Sequence, residues 1–202
     1  MVWAAFPTAL NSGYVLVMTL GEYQNKRRSG RSPEPRRGRR RRSRKAPHFV
    51  VQHHTASTDH YDFRLEVDGV FVSWAVPKGP STNPKDRRLA VRTEDHPLEY
   101  ETFEGVIPEG EYGAGRVIVW DRGTYTNQTD RTMADGLKRG HLSFWLDGEK
   151  LEGGYALTRI RGRKDETWLL VKRSDEDADP RGNPVRSQPG SVLSGRTLDE
   201  LS

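Results

Sequence analysis

Two imidazoles, a carboxylate and a guanidinium, those of His54, His60, Asp62 and Arg64, lie close together in the run QHHTASTDHYDFRLEV, residues 52–67. On a β-strand successive side chains alternate between faces, so His60, Asp62, Arg64 and Glu66 share one side while Tyr61, Phe63, Leu65 and Val67 share the other. The apolar set is expected to enter a core. The polar set offers two metal-ligand types and a guanidinium fork, and His54 lies one short loop upstream, where it can close a third ligand position. Two imidazoles and one carboxylate with open positions suit a borderline divalent ion such as Mn²⁺, Zn²⁺ or Fe²⁺, able to polarise a phosphoryl oxygen or lower the pKa of a bound water. Arg64 is then placed to grip a phosphate through its fork. An amphipathic strand with a wet polar face shows the same alternation, so spacing alone leaves both readings open.

Other polar groups fall at strand ends and turns. Lys78 sits between Pro77 and Gly79-Pro80, Arg88 opens an apolar run, His96 precedes Pro97, and Tyr100 follows four residues later. A lone histidine before proline is more often a loop residue, and a tyrosine more often core. The elements that must position these groups read as short β-type runs separated by Gly, Pro and Asn turns, the pattern of a mainly β sandwich or barrel. Expected strands are 48–53, 60–67, 70–76, 88–93, 99–104, 115–121, 141–146, 155–160 and 168–172. Asp68-Gly69 signals a two-residue hairpin, Asp147-Gly148 another tight turn, and 132–139 one short helix.

The chain has 202 residues and 33% hydrophobic composition, which supports one core with tails. It has no cysteine, which excludes disulfides and thiolate zinc sites and favours a reducing cytoplasm. The first twenty residues carry no positive charge ahead of their apolar stretch, and Asn11, Ser12 and Gly13 interrupt it, so neither a signal peptide nor a membrane span is expected. Of the net charge of +5, residues 26–45 supply +11, leaving −6 on the rest. A Pro-, Gly- and Ser-containing arginine tract of this kind buries little apolar surface and repels itself, so it is expected to be a disordered arm adding salt-dependent affinity for phosphates. The expected division is 1–22, disordered or an upstream extension of the gene model; 23–47, basic arm; 48–175, β domain; and 176–202, flexible tail.

Six segments in order, FVVQHHTASTDHYDFRLEVDG, SWAVPKGPS, RLAVRTEDHPLEY, FEGVIPEGEYGAGRVIVWDRGTY, FWLDGEKLEGGYALTR and WLLVKRSDEDADP, give the chain from about Tyr23 to Pro180 a close resemblance to the 3′-phosphoesterase module of bacterial DNA ligase D and its stand-alone relatives. The resemblance implies a small closed or partly closed β-barrel binding Mn²⁺, with Zn²⁺ or Co²⁺ as alternatives. It implies metal ligands at His54, His60 and Asp62. Gln52, Arg64, Lys78, Arg88, His96 and Tyr100 would surround the phosphate, with Arg64 and His96 catalytic and Arg27 and Glu34 supporting. The implied activity removes 3′-terminal ribonucleosides and 3′-phosphates from DNA, leaving a 3′-hydroxyl for end joining. The family pattern departs here at Arg28, where an acid is expected, and at His53, Thr55 and Asp59. No K-x-D-G ligase nucleophile is present, so a separate ATP-dependent ligase, a repair polymerase and an end-binding protein are the expected partners of a cytoplasmic, nucleoid-associated monomer with no membrane contact. SVLSGRTLDEL near the end resembles the linker ahead of the ligase module. The alternative is a catalytically silent nucleic-acid-binding module that recruits end-joining factors.

Overall fold

The computed structural model of the chain describes residues 20–26, 33–35, 46–160 and 166–201. Its strands are β1 (His48–Thr55), β2 (Asp59–Val67), β3 (Val70–Val76), β4 (Arg88–Arg92), β5 (Gly105–Ile107), β6 (Gly115–Asn127), β7 (His141–Gly148), β8 (Glu152–Arg159) and β9 (Thr167–Lys172). They run antiparallel in the order β1-β2-β3-β4-β9-β8-β7-β6, and β6 pairs back onto β1, closing an eight-stranded barrel with β5 attached to β6. Closure removes the free sheet edges that would invite other chains. The mainly β barrel expected from the sequence is therefore what forms.

The alternation expected for β2 positions the site. Tyr61, Phe63, Leu65 and Val67 join Phe49, Trp74, Trp120, Phe144, Tyr155 and Trp168 in the barrel interior. Full burial of such side chains contributes roughly 1.5–3 kcal/mol each. Their even-numbered neighbours on β2, including Asp62 and Arg64, therefore lie on the outside of the wall. Asp68-Gly69 makes the β2–β3 hairpin, with φ of 51° and 83°, and Val67 opposite Val70. Thr132 caps α2 (Met133–Arg139) by accepting from the Asp135 N–H, close to the expected helix.

Three expectations shift. The strand expected at 99–104 is a short 3₁₀ turn, Leu98–Thr102, in which Tyr100 and Phe103 N–H groups bond locally to the Pro97 and Tyr100 carbonyls. Pro97 starts the turn with φ −67°, and the apolar Tyr100 and Phe103 roof the barrel wall beside Ile107, Val117 and Tyr23. The tight turn expected at Asp147-Gly148 is centred two residues later, with the Gly148 N–H bonded to the Leu151 carbonyl. Gly148 is needed for closeness instead, since a Cβ there would meet Phe49 Cζ at 2.6 Å. The segment read as a flexible tail lies against the barrel: Val185 packs on the core, the Trp120 indole donates to the Gln188 carbonyl at 2.8 Å, and the Val192 N–H donates to the Val119 carbonyl at 3.0 Å. These contacts are made by scattered apolar residues in a polar stretch, which periodicity does not register.

Ahead of the barrel, α1 (Leu20–Asn25) straddles the boundary expected at residue 22, and Tyr23 from it is buried. Arg27, Arg28 and the arginine tract at 36–45 lie outside the described residues. No helix among the described residues is long and apolar enough to cross a membrane.

Candidate functional site

The β1–β2 register sets His54 opposite His60 and Gln52 opposite Asp62, and the β2–β3 register sets Arg64 opposite Ser73. Directly opposed residues of an antiparallel pair share a face. A bulge between Val51 and Gln52, where β1 meets β6, interrupts the wall beside this group. Such bulges re-aim side chains next to sites.

His54 donates from Nε2 to the Gly113 carbonyl at 2.9 Å, and His60 from Nδ1 to the Thr58 carbonyl at 2.9 Å. A carbonyl only accepts, so each ring is fixed as the tautomer whose other nitrogen carries a lone pair. Those nitrogens, His54 Nδ1 and His60 Nε2, lie 3.6 Å and 3.7 Å from the two Asp62 oxygens. One ligand atom from each residue falls within 4.8 Å of the others, and this is the one such group among the described residues. Two oriented imidazole lone pairs, a carboxylate and second-sphere bonds to backbone oxygen fit a divalent ion.

Arg64 is 2% exposed and lies under this group. Its Nε donates to Gln52 Oε1 at 2.9 Å, Nη1 to Ser73 Oγ at 2.8 Å and to His96 Nδ1 at 2.7 Å, and Nη2 to Asp62 Oδ2 at 3.0 Å. Of the five guanidinium N–H groups, these bonds engage four. The last, on Nη2, is left for the cavity. Burial opposes ionisation of Asp62, but the Arg64 guanidinium outweighs it and holds the carboxyl well below the usual carboxylate range. The Asp62 carboxylate is thus charged at neutral pH.

A cavity of about 250 Å³ opens here, lined by His54, His60, Asp62, Arg64, His96 and Tyr100, and also by Glu94, Ile107 and Tyr112. The Arg64 N–H can only donate, so His96 Nδ1 accepts it and the neutral ring carries its proton on Nε2. Tyr100 stands 5.0 Å from the Arg64 guanidinium and donates its hydroxyl to Glu34 at 2.8 Å, which ties the amino-terminal segment to the roof. Gln52 is fully buried, its amide donating to the Tyr100 and Phe103 carbonyls at 3.2 Å and 3.0 Å. It braces Arg64 and the roof from beneath. Lys78 is exposed in the turn after β3, and Arg88 pairs with Asp86 at 2.8 Å. Neither lines the cavity, because β4 alternation puts Arg88 on the side of Ala90, a core residue.

Sequence reasoning missed Ser73, Glu94, Tyr112 and Lys26. Ser73 was within reach, since the Asp68-Gly69 hairpin fixes it opposite Arg64. Lys26 bonds to Glu94 at 3.1 Å and to the Tyr112 hydroxyl at 3.2 Å across long sequence distances, which carry no local signal. Two departures from the family pattern meet: His53 pairs with Asp59 at 2.8 Å and stacks on Tyr61, on the face away from the metal group.

An antiparallel barrel with a possible metal group of two histidines and one carboxylate beside a buried arginine defines a candidate hydrolase site. Comparison makes this particular: the profile of the DNA Ligase D 3′-phosphoesterase domain matches residues 52–159, and the chain belongs to that family. It is 52% identical over 184 residues to the multifunctional non-homologous end joining protein LigD of Pseudomonas aeruginosa, covering 89% of this chain and 22% of that protein. With the multifunctional non-homologous end joining DNA repair protein LigD of Mycobacterium tuberculosis it shares 47% over 157 residues, covering 78% of this chain and 20% of that protein. With that of Mycolicibacterium smegmatis it shares 40% over 179 residues, covering 86% and 23%. The chain thus spans about a fifth of the length of these relatives.

Proposed function

We propose that this chain is a divalent-metal-dependent 3′-phosphoesterase of DNA ends, removing a terminal ribonucleoside and then the 3′-phosphate to leave the 3′-hydroxyl that repair synthesis and ligation need. The observation that carries this is the oriented His54, His60 and Asp62 group opening into one cavity with Arg64. Mn²⁺ is the proposed ion, held by those three side chains. When bound, it supplies Lewis-acid polarisation of a phosphoryl oxygen and a water of lowered pKa. Arg64 adds a fixed positive charge where negative charge develops, and its bonds to Gln52, Ser73, His96 and Asp62 remove the cost of reorganising it during reaction. His96 hydrogen-bonds the phosphate or protonates the leaving oxygen. Glu34 supports the site by holding Tyr100. The arginine tract docks the enzyme along DNA, and the relatives' names, which speak of non-homologous end joining, support that role; a separate ligase, polymerase and end-binding protein in a cytoplasmic, nucleoid-associated setting are proposed with it.

The test is a gel assay with the full chain, Mn²⁺ and a labelled primer-template ending in one ribonucleotide or a 3′-phosphate, beside an EDTA control and His60→Ala. Conversion to a 3′-hydroxyl that needs the metal and falls on the order of 10²-fold or more in the variant is expected. Absence of conversion with tight DNA binding would favour the recruiting module.

A further inference from the structure

Ionic groups lining the cavity account for a phosphate and leave open what grips the nucleoside attached to it. Of the Phe, Tyr and Trp side chains in the described residues, Tyr112 alone is exposed, at 46%. Its ring has no place in any of the three apolar clusters. It lies at the cavity with His54 and Asp62. An unburied aromatic ring beside a phosphate-sized charged group is what nucleic-acid sites use to stack a base.

The loop that carries the ring is held to the metal group. Between β5 and β6 the chain folds on itself, with the Glu111 N–H bonded to the Pro108 carbonyl at 3.2 Å and the Ala114 N–H to the Glu111 carbonyl at 3.1 Å. Gly113 follows Tyr112 with φ 78°, a left-handed backbone suited to glycine, and its carbonyl is the one that orients His54. Tyr112 is therefore one residue from the bond that fixes a metal donor. Lys26 sits 4.6 Å from the ring centroid and hydrogen-bonds its hydroxyl, which sets the ring's orientation.

We propose that Tyr112 is the stacking platform for the base of the DNA's 3′-terminal nucleotide, so that the cavity takes a nucleoside 3′-phosphate end in preference to a bare phosphate ester. This rests on the phosphoesterase reading and names its substrate more narrowly. Every base has a π-face, so the platform reads the presence of a base and is indifferent to which one.

The experiment measures binding of a labelled 3′-phosphate oligonucleotide by anisotropy in EDTA, and kcat and KM in Mn²⁺. Each measurement uses a normal and an abasic terminal residue, with wild type, Tyr112→Phe and Tyr112→Ala. Tyr112→Ala should weaken binding of the normal end about 5- to 150-fold, the range for one stacked base, and raise KM with kcat nearly kept, as loss of uniform binding does. Tyr112→Phe should restore affinity, which a role of the hydroxyl alone would not allow. The abasic end should cost wild type the same factor and cost Tyr112→Ala nothing more. Equal binding of normal and abasic ends by wild type overturns the platform, even where Tyr112→Ala fails to fold. Wild type that leaves the 3′-phosphate in place in Mn²⁺ overturns the phosphoesterase reading instead, and the base comparison in EDTA still decides the platform.

Discussion

Asp62 serves the metal group and Arg64 at once, and the two roles can be separated by substitution. Asp62→Ala leaves a buried guanidinium without its counter-charge, which costs about 3–5 kcal/mol, so the variant should both lose turnover and unfold at lower urea. His60→Ala removes a donor whose other bond is to the Thr58 carbonyl, and should keep the wild-type urea midpoint in EDTA while losing turnover in Mn²⁺. The pH dependence follows from the depressed folded pKa of Asp62. Stability from this group is fully present above the ordinary carboxylate value of about 4 and drains as pH falls below it. Asp62→Asn should therefore show a shallower acid-unfolding limb, measured by urea titrations at a series of pH values; an unchanged limb would place the acid sensitivity elsewhere.

Asp121 on β6 does the opposite for the β7–β8 hairpin. Its carboxyl accepts the N–H groups of Glu149, Lys150 and Leu151, each at 3.0 Å, and so closes the turn between the two strands. Burial pushes its pKa up to about 6 in spite of those donors. With a raised folded pKa, the contribution is complete below the ordinary value of about 4 and is lost as pH rises through about 6, an effect of up to about 3 kcal/mol. Asp121→Asn should flatten stability between those pH values, on top of a constant loss from the weaker turn; a slope equal to wild type in the same urea titrations would refute this. At this scale the sequence was readable wherever period two held. β2 and β3 and their register follow from YDFRLEVDGVFVSW. The roof from Thr93 to Gly113 has no period, since Tyr100, Phe103 and Ile107 meet Tyr23 and Val117 through space, and Glu94 and Tyr112 find Lys26 the same way. The metal donors were legible because they share one hairpin, whereas their surroundings are assembled from distant segments.

For the whole molecule, the charge asymmetry makes the arm the proposed DNA-docking segment. Deleting residues 36–45 keeps Lys26 and Glu34, which hold the roof, while removing most of the arginine tract. DNA affinity should weaken, and the slope of log affinity against log salt should flatten by roughly 0.9 for each phosphate no longer neutralised. An unchanged slope would assign docking to the barrel. The closed barrel also joins chemistry to folding. His54, His60 and Asp62 all come from β1 and β2, separated in the chain by Ala56–Thr58, so an ion held by them fastens the two strands on which closure through β3 and β6 depends. An ion that binds only the folded chain should raise the melting midpoint with its free concentration, by about 1.4 kcal/mol for each tenfold step above its Kd. Wild type should follow Mn²⁺ in this way and return to its lower midpoint in EDTA, while His60→Ala should respond far less. On the proposed metal assignment, catalytic readiness and thermal persistence draw on one ion equilibrium, and withdrawing the metal would both silence the site and lower the melting midpoint.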